Sequence, residues 1–221
     1  SDTPRPGNAK FKKLTPVDPN STNPYQLTEA DRTVIGNTTP KFSGGFGLNA
    51  TYKGFDLSMF FSYMYDFDVL NANKIMLTTW ADNKDNNFLM DIASDRRWRN
   101  FDDMGNEIRY SPEILAEFNK DATMWNPTSI GRPISMSYAV EDGSFLRLSS
   151  ATFGYTLPVA WTRKVGLNKV RFYVSGNNLF VLTGYSGYDP EVNIATGLTP
   201  NIDYNRYPRS RTYTFGAQLT F

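Results

Sequence analysis

Arg211-Thr212-Tyr213-Thr214-Phe215-Gly216-Ala217-Gln218-Leu219-Thr220-Phe221 alternates without a break. Tyr213, Phe215, Ala217, Leu219 and Phe221 fall on one parity, and Thr212, Thr214, Gly216, Gln218 and Thr220 on the other. A period of two makes this a β-strand with one apolar and one polar face. A water-soluble sheet would give the same alternation, so the pattern alone leaves open which solvent each face meets. The aromatic that ends the run favours a closed barrel. Terminal residues of a soluble chain usually fray, whereas the last strand of an outer-membrane barrel is built into the wall by pairing with the first.

The 221 residues are 40% hydrophobic, 15% aromatic and 20% charged, which suits one large folded domain or part of a bigger one. A formal net charge of +1, with Lys and Arg scattered along the chain, gives no electrostatic footprint for nucleic acid. Cysteine and histidine are both absent. Disulfides, thiolate or imidazole metal sites and Ser-His-Asp triads therefore lose their usual residues, and neither metal nor cofactor is expected. No apolar run reaches the roughly eighteen residues of a membrane helix. Barrel strands need only about nine to eleven alternating residues. Their polar lumen positions keep average hydropathy low, in line with a mean hydropathy of -0.46. The opening SDTPRPGNAKFKK has no apolar signal-peptide core, so a leader is expected to have been removed or to lie upstream.

Residues 1–41 are rich in Pro, Asn, Thr and Asp and read as a loop, extracellular in a barrel. Asp18, Asn20, Thr22 and Glu29 have a faint calcium-loop look, but no Gly occupies the turn and Pro19 and Pro24 interrupt it, so a solvated loop is expected. Residues 42–65 form a transmembrane hairpin turning on Lys53-Gly54. Its outward set is Phe42, Gly44, Phe46, Leu48, Ala50 and Tyr52, then Phe55, Leu57, Met59, Phe61, Tyr63 and Tyr65. The opposite set includes Asn49, Thr51, Asp56, Ser58 and Ser62 as lumen-facing candidates, with Phe60 and Met64 breaking its polarity. Aromatics gather at both ends of the hairpin, as the two interfacial girdles of a barrel require.

Between 66 and 142 the period is lost, which predicts a long extracellular loop with one short helix at Pro112 to Lys120 capped by Ser111. Trp80, Trp98 and Trp125 lie in it as candidates for substrate contact by stacking, and packing of the loop onto itself accounts for them equally well. A loop this long beside a turn as short as Lys53-Gly54 is the asymmetry of an outer-membrane barrel. Residues 143–221 hold the remaining strands, with an inner turn at 158–168 that places Trp161 at the interface and an outer loop at 181–208. Ser149, Ala151, Phe153, Tyr155 and Leu157 read as outward, and Thr152 as lumen-facing. Arg147 falls on the outward parity. An Arg at mid-bilayer costs about 2–4 kcal/mol, so it is expected at the outer interface, as is Arg211 at the same spacing from its strand end. Val170, Phe172 and Val174 then read as outward, and Arg171, Tyr173, Ser175 and Asn177 as lumen-facing, with a bulge at Gly176. In the last strand Thr212, Thr214 and Gln218 complete the lumen set.

In order, DGSFLRLSSATFGYTLP, VRFYVSGNNLF, GYSGYDPEVN and the terminal YPRSRTYTFGAQLTF resemble the C-terminal end of the SusC/RagA family of TonB-dependent outer-membrane transporters. DRTVIGNTTPKFSGGF and YKGFDLSMFFSY resemble the same family upstream, whereas LTPVDPNSTNPYQLTEA departs from the acidic, glycine-containing loop that members often carry there. The resemblance implies an all-β fold: an antiparallel transmembrane β-barrel of about twenty-two strands around an N-terminal plug. It also implies a SusD-like surface lipoprotein as lid, uptake of oligosaccharides or peptides powered through TonB, residence in the outer membrane of a Gram-negative bacterium, and Phe221 as an assembly signal. Plug and TonB-contacting segments are not in this sequence. About five membrane strands can be read, fewer than the roughly eight that close the smallest barrels, so an upstream barrel and plug portion is an expected partner, together with outer-membrane lipid. Three other readings are a soluble β-sandwich that binds glycans, a passive porin-like channel, and a carboxylate enzyme using a pair among Asp102, Asp103, Glu141 and Asp142.

Overall fold

In the computed structural model, which describes residues 5–23, 26–79, 87–93, 95–130, 134–192 and 200–221, Lys53 and Gly54 have φ angles of 45° and 91°. Positive φ at both central positions gives a two-residue turn whose twist matches that of the flanking strands. Strands β1 (Phe42–Tyr52) and β2 (Phe55–Tyr65) therefore pair in step from Tyr52 opposite Phe55 to Phe42 opposite Tyr65. The following elements are β3 (Asp68–Asn71), α1 (Ala72–Met76), α2 (Pro112–Phe118), β4 (Val140–Asp142), β5 (Phe145–Thr156), α3 (Val159–Thr162), β6 (Lys169–Thr183), β7 (Ile202–Asp203) and β8 (Thr212–Thr220). Five strands make one antiparallel sheet in the order β1-β2-β5-β6-β8, and the three short ones make another in the order β4-β3-β7. The chain divides into two compact units, residues 1–35 with 71–139, and 36–70 with 140–221.

In the second unit the register runs straight across five strands. Ala50, Leu57, Phe153, Val174 and Phe215 form one row, and Asn49, Ser58, Thr152, Ser175 and Thr214 form the adjacent one. Because alternate residues point to opposite sides, the first row lies on an apolar face and the second on a polar face. Phe46 stacks on Phe61 at 5.0 Å and Phe55 on Phe153 at 5.7 Å, so cross-strand rings support the apolar face. That face is nevertheless open, with Phe172 51% and Phe215 80% exposed. The buried cluster of Phe67, Val69, Phe145, Tyr185 and Val192, flanked by Met64 and Val181, lies instead at the end of the sheet away from the Lys53-Gly54 turn.

Arg147 and Ser149 lie elsewhere than their parity predicts. Ser149 is an extra residue, since Phe60 pairs with Ser150 and Phe61 with Leu148. Beyond it the parity of β5 inverts, Arg147 comes opposite Ser62 and Val181, and Leu148 joins Phe61 on the apolar face. A bulge of this kind re-aims a side chain at the cost of one ladder position. The equal spacing of Arg147 and Arg211 from their strand ends therefore defines no common frame. Ser149 turns its hydroxyl to Ser62 Oγ, 2.7 Å away on the polar side. Nor is Gly176 a bulge, for it pairs with Ala151 and Tyr213. The irregularity in β6 lies at Asn178 and Leu179, where Asn178 takes a φ of 52° and donates from Nδ2 to Ser210 O. Strand β6 also runs on to Thr183, and β3, β4 and β7 sit in stretches read as aperiodic.

In the first unit α2 begins with Pro112 and has Ser111 at its N-cap, but the Ser111 side chain makes no capping bond. Asp31 is the hub of the N-terminal segment. Its Oδ1 accepts from Leu14 N, Thr15 N and Thr15 Oγ1 at 2.7–2.9 Å, and its Oδ2 from Thr28 N at 2.8 Å. The amides of Thr15 and Thr28 hold its carboxyl well below the usual carboxylate range. A depressed carboxylate stabilises the fold above its unfolded value, and the contribution disappears as pH falls through the folded one. Hydrogen exchange at the Thr15 and Thr28 amides, corrected for intrinsic rates, should stay protected from neutral pH down through the ordinary carboxylate range and open only below it. In Asp31→Ala both amides should be open throughout.

Candidate functional site

The polar face of the five-stranded sheet brings the lumen candidates together. Thr51 and Asp56 form a row with Gly154, Tyr173 and Gly216, and Arg171 pairs with Gln218 in the row beside it. Asn49, Ser58, Thr152, Ser175 and Thr214 share the next row toward the other end, where Thr152 Oγ1 donates to Ser175 Oγ at 3.3 Å. Phe60 and Thr212 follow with Gly47, Ser150 and Asn177, and Ser62 comes last, beside Arg147.

Two glycines shape this surface. Arg171 on β6 reaches across β5 to Asp56 on β2, donating from Nε to Oδ1 at 2.9 Å and from Nη2 to Oδ2 at 2.5 Å. The pair passes over Gly154, where a Cβ would come within 2.5 Å of the guanidinium and 2.6 Å of the carboxylate. Tyr173 lies over Gly216 in the same manner, and the Arg171 guanidinium sits 5.1 Å from the Tyr173 ring. The planar fork of Arg suits this two-point bond and the stacking, which a Lys could not reproduce. Near the Lys53-Gly54 end this face presents hydroxyls and amides around one fixed ion pair, chemistry that hydrogen-bonds a polar solute without reacting with it.

At the other end the polar face is roofed by the segment after β6. Arg147, 4% exposed, donates from Nη2 to Asp189 Oδ1 at 2.6 Å. Its Nε stands 3.4 Å from Glu191 in a charge contact that is not a hydrogen bond, and Arg209 closes the other side of Glu191 at 2.7 Å. Tyr185 donates to Asp203 at 2.6 Å, and burial, then that bond, push its phenol upward in pKa. Ser186 donates from its amide and its hydroxyl to Glu141. Sequence reading missed this clasp. Its one legible sign is the GYDPEV stretch, where Asp189 and Glu191 stand two residues apart.

The tryptophans pack within the first unit. The Trp98 ring lies against Gly7, and Trp125 donates from Nε1 to Thr78 O at 3.3 Å while meeting Tyr138 edge-on at 5.0 Å. Trp80 lies outside the described residues. Each candidate catalytic carboxylate is bound to a local partner: Asp102 to the Met104 and Asn106 amides, Asp103 to Arg99, Glu141 to Ser186 and Asp142 to Ser144. Asp102 is lowered in pKa, chiefly by the Asn106 side chain, the opposite of what a general acid needs. Asp18 accepts from the Asn20 amide, and Glu29 pairs with Arg32.

No family model matches the chain. Over 202 residues it is 34% identical to TonB-dependent receptor P3 of Formosa agariphila, covering 89% of this chain and 18% of that protein. Over 86 residues it is 35% identical to the TonB-dependent receptor SusC of Bacteroides thetaiotaomicron, covering 38% of this chain and 8% of that one. Its structure matches the RagAB peptide importer in the closed-closed state with a TM-score of 0.67 and 25% identity, covering 89% of this chain and 19% of that one. The chain belongs to the SusC/RagA family of TonB-dependent transporters. It spans about a fifth of the length of receptor P3 and of the matched importer chain; these relatives are receptors and importers rather than enzymes.

Within this SusC/RagA chain the clasp is open to a direct test. Arg147→Met keeps the length of the side chain but leaves the buried Asp189 carboxylate without its cation, a loss of about 3–5 kcal/mol. Limited proteolysis of the assembled transporter should then cut after Thr183 far faster than in wild type. The double variant R147M/D189N should recover much of the resistance, because it no longer leaves a buried charge unpaired.

Proposed function

We propose that this chain is part of the barrel wall of an outer-membrane transporter that imports oligosaccharides or peptides. The carrying observation is the sheet itself: an apolar face rich in exposed aromatics, a polar face of hydroxyls and amides, and edge strands β1 and β8 with no second neighbour among the described residues. Such a sheet is stable in lipid only as a portion of a closed cylinder, where every edge group is paired. The remaining wall, of about twenty-two strands in all, and the plug come from the rest of the transporter. A SusD-like lipoprotein lids the mouth, and TonB supplies the energy through the N-terminal part. Kinship with a SusC receptor and the architecture shared with a RagAB importer support this reading.

In this arrangement the Lys53-Gly54 turn and the 158–168 connection face the periplasm. Segments 1–41, 66–142 and 181–208 face outward, and the clasped loop stands at the outer mouth. Asn49, Thr51, Asp56, Ser58, Phe60, Ser62, Thr152, Arg171, Tyr173, Ser175, Thr212, Thr214 and Gln218 line the lumen. Phe221, on the apolar parity, serves as the assembly signal. Trp98 and Trp125 act chiefly as the frame of the outer loop, since their contacts are internal to it. A soluble sandwich would need a second sheet over Phe153, Phe172 and Phe215, which are exposed.

Arg scanning of the whole transporter tests the two faces. Leu48→Arg and Phe215→Arg place a charge in lipid at about 2–4 kcal/mol each near mid-bilayer, whereas Ser58→Arg and Thr214→Arg place it in water. Heat-modifiable migration and surface labelling should report loss of assembly in the first pair and normal assembly in the second. Equal behaviour of the two pairs would refute the membrane frame.

A further inference from the structure

Val170 lies on the apolar face in the column of Phe172 and Val174, opposite Leu219, yet it is 5% exposed. Its cover is the β5–β6 connection. Helix α3 packs on β6, Leu167 N donates to Thr162 O at 3.1 Å, Leu157 N donates to Val170 O at 2.9 Å, and the Thr162 side chain is buried. The connection is therefore folded back over the foot of the apolar face. Its outer side exposes Val159, Trp161 and Val165, the tryptophan by 61%, together with Arg163 and Lys164.

Neither Arg163 nor Lys164 has an ion pair or side-chain hydrogen bond among the described residues. Lys169 begins the next strand, Lys53 stands in the hairpin turn at the same end, and no acid occurs between Gly143 and Tyr188. Asp56, the acid of β2 near this end, is already held by Arg171. The foot of the sheet thus carries Lys53, Arg163, Lys164 and Lys169 against one acid, Asp56, which Arg171 already holds, beside an exposed indole and two exposed valines. Indole rings favour the headgroup level of a bilayer, and long basic side chains reach from there to phosphate oxygens.

We propose that the 158–168 connection binds the headgroups of anionic phospholipids in the periplasmic leaflet. Val159, Trp161 and Val165 enter the boundary between headgroups and acyl chains, and Arg163 and Lys164 hold headgroup phosphates. This rests on the barrel reading above and adds to it a lipid class and the residues that select it. Charge complementarity decides the occupant, because a zwitterionic surface would leave this excess of cations uncompensated.

The test uses the whole transporter in nanodiscs containing phosphatidylglycerol and phosphatidylcholine, followed by release into mild detergent and native mass spectrometry. Phosphatidylglycerol retention should fall roughly tenfold in R163Q/K164Q, the loss expected for two headgroup contacts, with phosphatidylcholine unchanged. In a second measurement, quenching of tryptophan fluorescence by phospholipids brominated near the headgroup should drop in Trp161→Phe. If the variants assemble as heat-modifiable barrels yet retain phosphatidylglycerol like wild type, the headgroup site is refuted while the barrel stands. Failure of the wild type to enter nanodiscs would refute the barrel reading as well. Cross-linking of Lys164 to a soluble periplasmic protein in place of lipid would also overturn the proposal.

Discussion

A register that holds from β1 to β8 is the constraint on which everything else depends. Side chains in a strand alternate, so one slip of a residue in any pairing would send Phe153 or Val174 into the row now held by Thr152 and Ser175. The two-residue turn at Lys53-Gly54 fixes the register at one side, and each further strand inherits it through continuous pairs from that end up to the Ser149 bulge. Gly154 and Gly216 then let the large side chains of β6 cross neighbouring strands without lifting the sheet. The Arg171–Asp56 pair reaches over a whole strand and so ties β2, β5 and β6 together close to the Lys53-Gly54 turn.

The bulge at Ser149 is the place where this register is deliberately broken. Continuing the alternation would have turned Arg147 to the apolar face. One inserted residue turns it to the polar side, where Asp189 and Glu191 neutralise it. The compensation on β6 takes two residues, with Asn178 in the left-handed region that its short polar side chain tolerates. Local disorder of the ladder and a buried charge cluster are thus two halves of one device. The bulge aims the arginine, and the arginine pins the loop that roofs the sheet.

The long strands were legible because nine or more alternating residues leave little choice of face, and every lumen candidate shares one face of the sheet for that reason. Strands β3, β4 and β7 were not legible. Two to four residues carry barely one alternation, and their pairing depends on loop ends that meet only in three dimensions. Ser149 could not be recognised as a bulge either, since a polar residue there fits ordinary alternation as well. Arg147 and Asp189 lie 42 residues apart, a separation at which no spacing rule operates. Asp31 was hidden for a related reason: its donors come from residues 14, 15 and 28, which no period connects.

The two ends of the sheet are built on different physics. At the end with the long segments, buried rings and paired charges hold irregular chain in place: Glu141, Asp189, Glu191 and Asp203 are each bonded to a partner. At the end with the short connections little is buried beyond Val170 and Thr162, and Lys53, Arg163, Lys164 and Lys169 are exposed. A wall meant to slide freely in a uniform medium would gain nothing from this asymmetry. In a bilayer it does two jobs at once. On the barrel reading proposed above, the clasp fixes the described chain that follows β6 at the mouth, and the basic foot would set the depth of the strands, and with it the height of the hydroxyl rows.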